Sequence, residues 1–213
     1  MSVELGAEKE AERLAELLCA RLCHDLAGAV GAVAAGAELV AEEGTAGPMA
    51  AEALELMAVS AASLAARLSY LRLALGPANQ GAVAQARGLA EAYFAKGHPQ
   101  GEWRLDWPPN EAAPVSPDQA KLLLNLICLA QECLPRGGVI AVRPAEIEMV
   151  IARGSPLLGE AAQWLRPLLS DGMSPRAAQG AYAALLARRL SCRIDLRKGD
   201  DVIAFAVERQ IVP

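Results

Sequence analysis

The chain has 213 residues, 54% of them apolar, so one large domain or two small ones can bury a sizeable core. Its formal charge is −5 and its isoelectric point about 5.2, with no Lys/Arg cluster. Nucleic-acid phosphates are bound through concentrated positive charge, so the composition argues against such a partner.

Aromatics make up only 4%, and the apolar content is mainly Ala and Leu, which lead the helix-propensity scale. The first residues, MSVELGAEKEAERLAELL, are acidic and lack the basic start and apolar run of a signal peptide. No unbroken apolar run approaches the ~20 residues that span a bilayer. The five cysteines, Cys19, Cys23, Cys128, Cys133 and Cys192, are odd in number and scattered, which fits reduced thiols better than a disulfide framework. A cytoplasmic protein without a membrane partner is expected.

Residues 7 to 43 contain no proline and read as one long helix. Its apolar stripe is Leu14, Leu18, Leu22, Leu26, Val30, Val33, Ala37, Val40, in steps of three and four. The turn signal EEGTAGP follows, then a second helix over about 48 to 75. Its stripe, Leu54, Met57, Ala61, Leu64, Leu68, Leu71, Leu75, is a heptad repeat. Two such helices make an antiparallel hairpin that buries each stripe only in part. No second pair of this kind exists in the chain, so a homodimer closing a four-helix bundle through residues 7 to 75 is expected.

After residue 78 the texture changes. GAVAQARGLAEAYFAKG reads as a short helix and EWRLDW as a strand. SPDQAKLLLNLICLAQECLPRGG reads as a helix opened by Ser and Pro and closed by Pro and Gly-Gly. VIAVRP and IEMVIA are strand-like; helices are expected near 157 to 170 and 174 to 191; CRIDLR and VIAFAVE flank KGDD as a terminal hairpin. The fold class is α+β, with residues 1 to 77 as one domain and 78 to 213 as another.

The stretch RLCHDLAGAVGA, residues 21 to 32, holds one of only two histidines. His24 is two positions from both Leu22 and Leu26, about 200° around the helix, so its imidazole points away from the apolar stripe. Its helical neighbours are Leu17, Ala20, Arg21, Ala27, Gly28 and Gly31, most of them tiny. Each mid-helix glycine costs roughly 1 kcal/mol against alanine, so something should compensate. Close helix packing is one explanation; a low surface on which another protein reaches the imidazole is the other. Gly36 lies elsewhere and fits packing better. Asp25 can fix the tautomer by taking one ring nitrogen, leaving the other as a nucleophile. Arg21, one turn earlier, can attract a phosphoryl oxygen. The plainer reading of Arg21 and Asp25 is a solvated face with a weak ion pair.

CHDLAGAVGAVAAGAELV resembles the phosphoacceptor box of histidine kinases and, more closely, the ChpT-type histidine phosphotransferases of alphaproteobacteria. Cys23, His24, Asp25 and Leu26 match that family's pattern, as do Val30, Gly31, Ala32, Gly36, Glu38 and Leu39. Ala29 stands where the family commonly has proline, so a straighter helix is expected. KLLLNLICLAQECLPRGGVIAV is similar to the N-box helix and following strand of the kinase ATP-binding domain, but Leu129 replaces the metal-binding Asn four residues after Asn125. The segment corresponding to Asp-x-Gly-x-Gly is ARGSP, with Ala152 for the adenine-binding Asp and Pro156 for the second Gly. SPRAAQGAYAALLARRL lacks the lid's glycine spacing.

The resemblance implies a kinase-ATPase-like second domain, an α/β sandwich that has lost nucleotide binding, because Mg²⁺ then has no ligand with which to bridge the phosphates. It implies phosphoryl transfer through His24, with Asp25 orienting the ring. Receiver domains would dock on Ala20, Ala27, Gly28 and Gly31. The donor would be a hybrid sensor kinase and the acceptor a response regulator. The chain itself would hold no cofactor; Mg²⁺ would belong to the receiver.

Cys19, Cys23 and His24 lack a second ligand pair for zinc, and His98 is far along the chain in KGHPQG. Trp103 and Trp107 share a strand face and read as core. Two other classes stay open. A non-catalytic dimeric scaffold would keep its activity without His24. An ATP-dependent kinase would bind ATP.

Overall fold

The computed structural model describes residues 2–77, 81–97, 103–108, 116–144, 148–165 and 172–210. Two antiparallel helices open the chain, α1 (Ser2–Glu43) and α2 (Ala50–Leu75). Gly44, at φ 75°, ends α1 in the left-handed conformation that favours glycine, its N–H donating to the Val40 carbonyl at 3.0 Å. The helices approach closely at Gly36, where a Cβ would stand 2.5 Å from Met57 Cγ and 3.2 Å from the Ala53 carbonyl. Of the two explanations for the glycines, close packing holds at Gly36.

The remaining elements are α3 (Gly81–Ala95), β1 (Trp103–Asp106), α4 (Pro117–Glu132), β2 (Gly138–Pro144), β3 (Glu148–Gly154), α5 (Glu160–Gln163), α6 (Pro175–Arg189), β4 (Cys192–Lys198) and β5 (Val202–Arg209). The sheet order is β1-β2-β3-β5-β4. β1 and β2 pair in parallel through the α4 crossover, and the other pairs are antiparallel. This is the expected mixed α+β fold.

α4 starts where its sequence says it should. Ser116 and Gln119 form a capping box, with Ser116 N–H donating to Gln119 Oε1 at 2.8 Å and Gln119 N–H to Ser116 Oγ at 3.3 Å. α4 lies between the sheet on one side and α2, α3 and α6 on the others, so Ala120 through Gln131 are all buried. The core continues into the end of α2 through Tyr70, Leu71, Leu73 and Ala74. The first half of α1 packs through Leu14, Leu17 and Leu18 on Met173, Ala177, Ala178 and Ala181, around α6.

Two expectations change. Among the described residues, the helix expected over 157 to 170 is helical only at Glu160–Gln163; Leu157 and Leu158 are exposed, and residues 166–171 lie outside the described residues. The heptad of α2 is buried only in part within one copy, as expected of a single hairpin: Leu71 is buried and Leu75 packs on the core, while Leu54 and Leu68 are exposed; Ala53, Ser60, Ser63 and Tyr70 are buried as well. Finally, α1 and α2 are long and apolar enough to cross a membrane by length and composition, with mean hydropathy of 1.4 and 1.2 over their most apolar windows. Scattered glutamates hid this from a search for unbroken runs.

Candidate functional site

His24 sits midway along α1, and its side chain is 76% exposed. Ala20, Ala27, Gly28 and Gly31 around it are exposed as well. A Cβ added at Gly28 or Gly31 would meet nothing within 4 Å. Packing inside the chain therefore explains Gly36 but not these two.

Asp25 Oδ1 lies 3.4 Å from His24 Nδ1. With the proton on Nδ1, this contact leaves Nε2 unprotonated and facing solvent. The other carboxylate oxygen, Oδ2, lies 3.4 Å from Arg21 Nε. Arg67, from α2, donates from Nη1 to the Asp25 carbonyl at 3.0 Å and from Nε to the Gly97 carbonyl at 2.6 Å. Ser63 Oγ donates to the same Gly97 carbonyl at 2.9 Å. The backbone under the His-Asp pair is thus tied to α2 and to the end of α3.

Arg21 is placed differently from the sequence expectation. Its side chain is only 13% exposed and is directed toward the second half of the chain rather than the space before the imidazole. Nη2 donates to Glu132 Oε1 at the end of α4, and Nη1 donates to the Arg176 carbonyl at 3.1 Å. Burial works against the Arg21 charge, but Glu132, with Asp25, more than offsets it, and the guanidinium pKa stands above its usual value. Burial raises the Glu132 pKa, and Arg21 only partly opposes it. Arg21 is therefore held as a cation among carboxylates and is a poor candidate for direct phosphoryl contact.

A cleft of about 380 Å³ opens beside this group, lined among others by Arg21, Asp25, Arg67, Trp103, Glu132 and Arg176. Glu132, Arg67 and Arg176 were not legible as site residues, because 111, 42 and 155 positions separate the bonded partners. Trp103 shares this lining; its indole N–H donates to the Leu134 carbonyl at 2.9 Å. His98 lies outside the described residues. Among the described residues no three His, Cys, Asp or Glu side chains gather as a metal site.

The residues at which the sequence departs from the kinase pattern lie inside the fold. Leu129 and Ala152 are 0% exposed and belong to the core. The Asn125 amide donates to the Ala74 and Lys121 carbonyls, at 2.8 Å each, and its oxygen accepts from Gln179 of α6. Gly180 brings α6 so close to the Ala161 carbonyl that a Cβ could not be placed there. Lys121 lies 5.2 Å from the Tyr182 ring centroid, further joining α4 to α6.

The comparisons with known proteins agree with the residue pattern. Residues 83–202 match the family model described as the histidine phosphotransferase C-terminal domain. The protein phosphotransferase ChpT of Brucella abortus (strain 2308) is 32% identical over 212 residues, covering 92% of this chain and 95% of that protein. A solved bacterial phosphotransferase superposes with a TM-score of 0.75 at 26% identity, over 93% of this chain and 97% of the other.

Proposed function

The chain belongs to the ChpT-type histidine phosphotransferases, and from that premise we propose that His24 is the phosphoacceptor of a phosphorelay. The observation that carries this is the exposed imidazole with Asp25 at Nδ1, set in a surface of alanine and glycine that none of the described residues covers. The phosphoryl group comes from the phosphoaspartate of a hybrid kinase's receiver domain. His24 Nε2 forms a bond to phosphorus as the P–O bond to that aspartate breaks, and the electron pair returns to the aspartate oxygen. Nδ1 keeps its proton, and Asp25 balances the positive charge of the ring. A response regulator's receiver then takes the group by the reverse steps. Phosphoryl transfer is mainly positioning and charge neutralisation, so the receiver's own Mg²⁺ suffices and the chain supplies the oriented nucleophile.

This reading includes no autokinase activity; supporting it, Leu129 and Ala152 are buried where the kinase pattern has a metal ligand and an adenine ligand, and the Asn125 side chain is engaged by Gln179. It also includes a cytoplasmic homodimer, with the exposed Leu54, Leu56, Val59 and Leu68 of α2 covered by a second copy. Sedimentation of Leu54→Glu/Leu68→Glu is expected to show a monomer where the wild type is a dimer.

The test is incubation with a phosphorylated receiver domain. Wild type is expected to take an acid-labile label, and His24→Ala none. A wild type that takes no label from several receivers refutes the relay and leaves a dimeric scaffold.

A further inference from the structure

Glu132 touches none of the reacting atoms, yet a chain of charged groups leads from it to the imidazole. Resting on the reading of His24 as phosphoacceptor, we propose that Glu132 is a positioning residue for His24, acting from the end of α4 through Arg21 and Asp25.

The geometry gives each group one task. The Asp25 carboxylate is divided, with Oδ1 3.4 Å from His24 Nδ1 and Oδ2 3.4 Å from Arg21 Nε. The Arg21 guanidinium is divided too, with Nε toward Asp25, Nη2 on Glu132 and Nη1 on the Arg176 carbonyl at 3.1 Å. A guanidinium is a rigid planar fork, so fixing two of its nitrogens fixes the third. Glu132, itself on a helix buried from Ala120 to Gln131, thereby sets where Nε stands.

Charge explains why the division holds. While Glu132 is an anion, the Arg21 cation is shared between two carboxylates, and Asp25 keeps one oxygen for the imidazole. Without that charge, Asp25 is the remaining carboxylate on Arg21, and a guanidinium prefers to take a carboxylate with both oxygens. Asp25 then turns both oxygens to Arg21 and leaves Nδ1. The proton is no longer held there, and the tautomer with the proton on Nε2 becomes populated. In that tautomer Nε2 has no lone pair with which to attack phosphorus. Disturbing the carboxylate that fixes a catalytic imidazole's tautomer is known to be costly in other enzymes.

The alternative is that Glu132 only fastens α4 to α1. Thermal stability cannot separate the two roles, because loss of the ion pair lowers it in both. The histidine tautomer can. The chain has two histidines, so ¹⁵N-histidine spectra of the full-length protein at pH 8.5 are assignable with His24→Ala.

In wild type, the Nδ1-protonated form of His24 is expected to dominate. In Glu132→Gln, the Nε2-protonated form is expected to become a major species. The transfer rate at saturating phosphorylated receiver should fall on the order of tenfold, the range seen when an outer partner of an oriented histidine is lost, and the half-saturating receiver concentration should hold. Glu132→Asp, which keeps the charge, should retain the wild-type tautomer. An unchanged tautomer and rate in Glu132→Gln, whatever its stability, overturns the proposal. If Glu132→Gln does not fold, Arg21→Lys takes its place: it keeps a cation for Glu132 but loses the fork, and an unchanged tautomer there overturns the proposal equally. If wild type takes no phosphoryl group, the phosphoacceptor reading fails, and the tautomer comparison still decides whether Glu132 positions His24.

Discussion

The far half of α1 and the helix α4 use similar Ala- and Leu-rich sequence to opposite ends. From His24 to Glu43 only Gly36 is fully buried, whereas every residue from Ala120 to Gln131 is. α4 runs between a sheet and three helices, so each of its faces meets apolar atoms and it needs no amphipathic stripe. Among the described residues the far half of α1 packs chiefly on α2, closely enough to demand glycine at position 36. One helix is a stability element. The other is a surface with an exposed imidazole on it, and the two should respond to mutation in opposite ways.

The largest separation is expected from His24→Ala. Phosphoryl acceptance should vanish, while urea unfolding shifts by no more than about 0.5 kcal/mol, as for an ordinary surface position. Next, Leu126→Ala, at a site with 0% exposure, should cost about 2–5 kcal/mol in the same unfolding experiment. Val30→Ala, at 50% exposure, should cost less than about 1 kcal/mol; a cost equal to that of Leu126→Ala would break the comparison by showing that Val30 is buried in a second copy.

Within α1 itself, Gly36→Ala should destabilise by about 1–3 kcal/mol through overpacking against Met57. Gly28→Ala, with open space around its Cβ, should stabilise by up to about 1 kcal/mol while slowing transfer from a receiver. A slower rate in a more stable protein would identify Gly28 as part of the docking surface.

The smallest effect is chemical. Burial pushes the Cys128 thiol up to about 11. Its thiolate fraction at pH 8 is then on the order of 10⁻³ even before access is considered. Alkylation at pH 8 followed by peptide mapping should mark the exposed Cys19 and Cys23 of α1 and leave Cys128 of α4 unmodified until the protein is denatured.

Local signals were legible in the sequence where one short segment carried all the needed information. The capping box at Ser116, the stop of α1 at Gly44, the terminal β4–β5 hairpin and the outward direction of His24 follow from spacing of a few residues. The helix expected near 157 to 170 is confined, among the described residues, to Glu160–Gln163. The heptad of α2 was legible as a pattern, but which of its leucines one copy buries was not, since the faces of a helix are filled by whatever packs on them.

Arg21 is the clearest case of what spacing cannot reveal. One turn from His24, it looked like a phosphoryl ligand. Its guanidinium turns instead to Glu132, 111 residues later, a choice made by the folding of α4 against α1.

The sequence by itself determined the helical hairpin, the α+β class of the remainder and the exposed histidine. Each of these is written in residue types and in the periods of helix and strand. Only the tertiary structure decided which face of α2 is buried, which glycines serve packing, and how Asp25 is divided between His24 and Arg21. Those outcomes depend on burial and on charges brought together across long stretches of chain, and no local period encodes them.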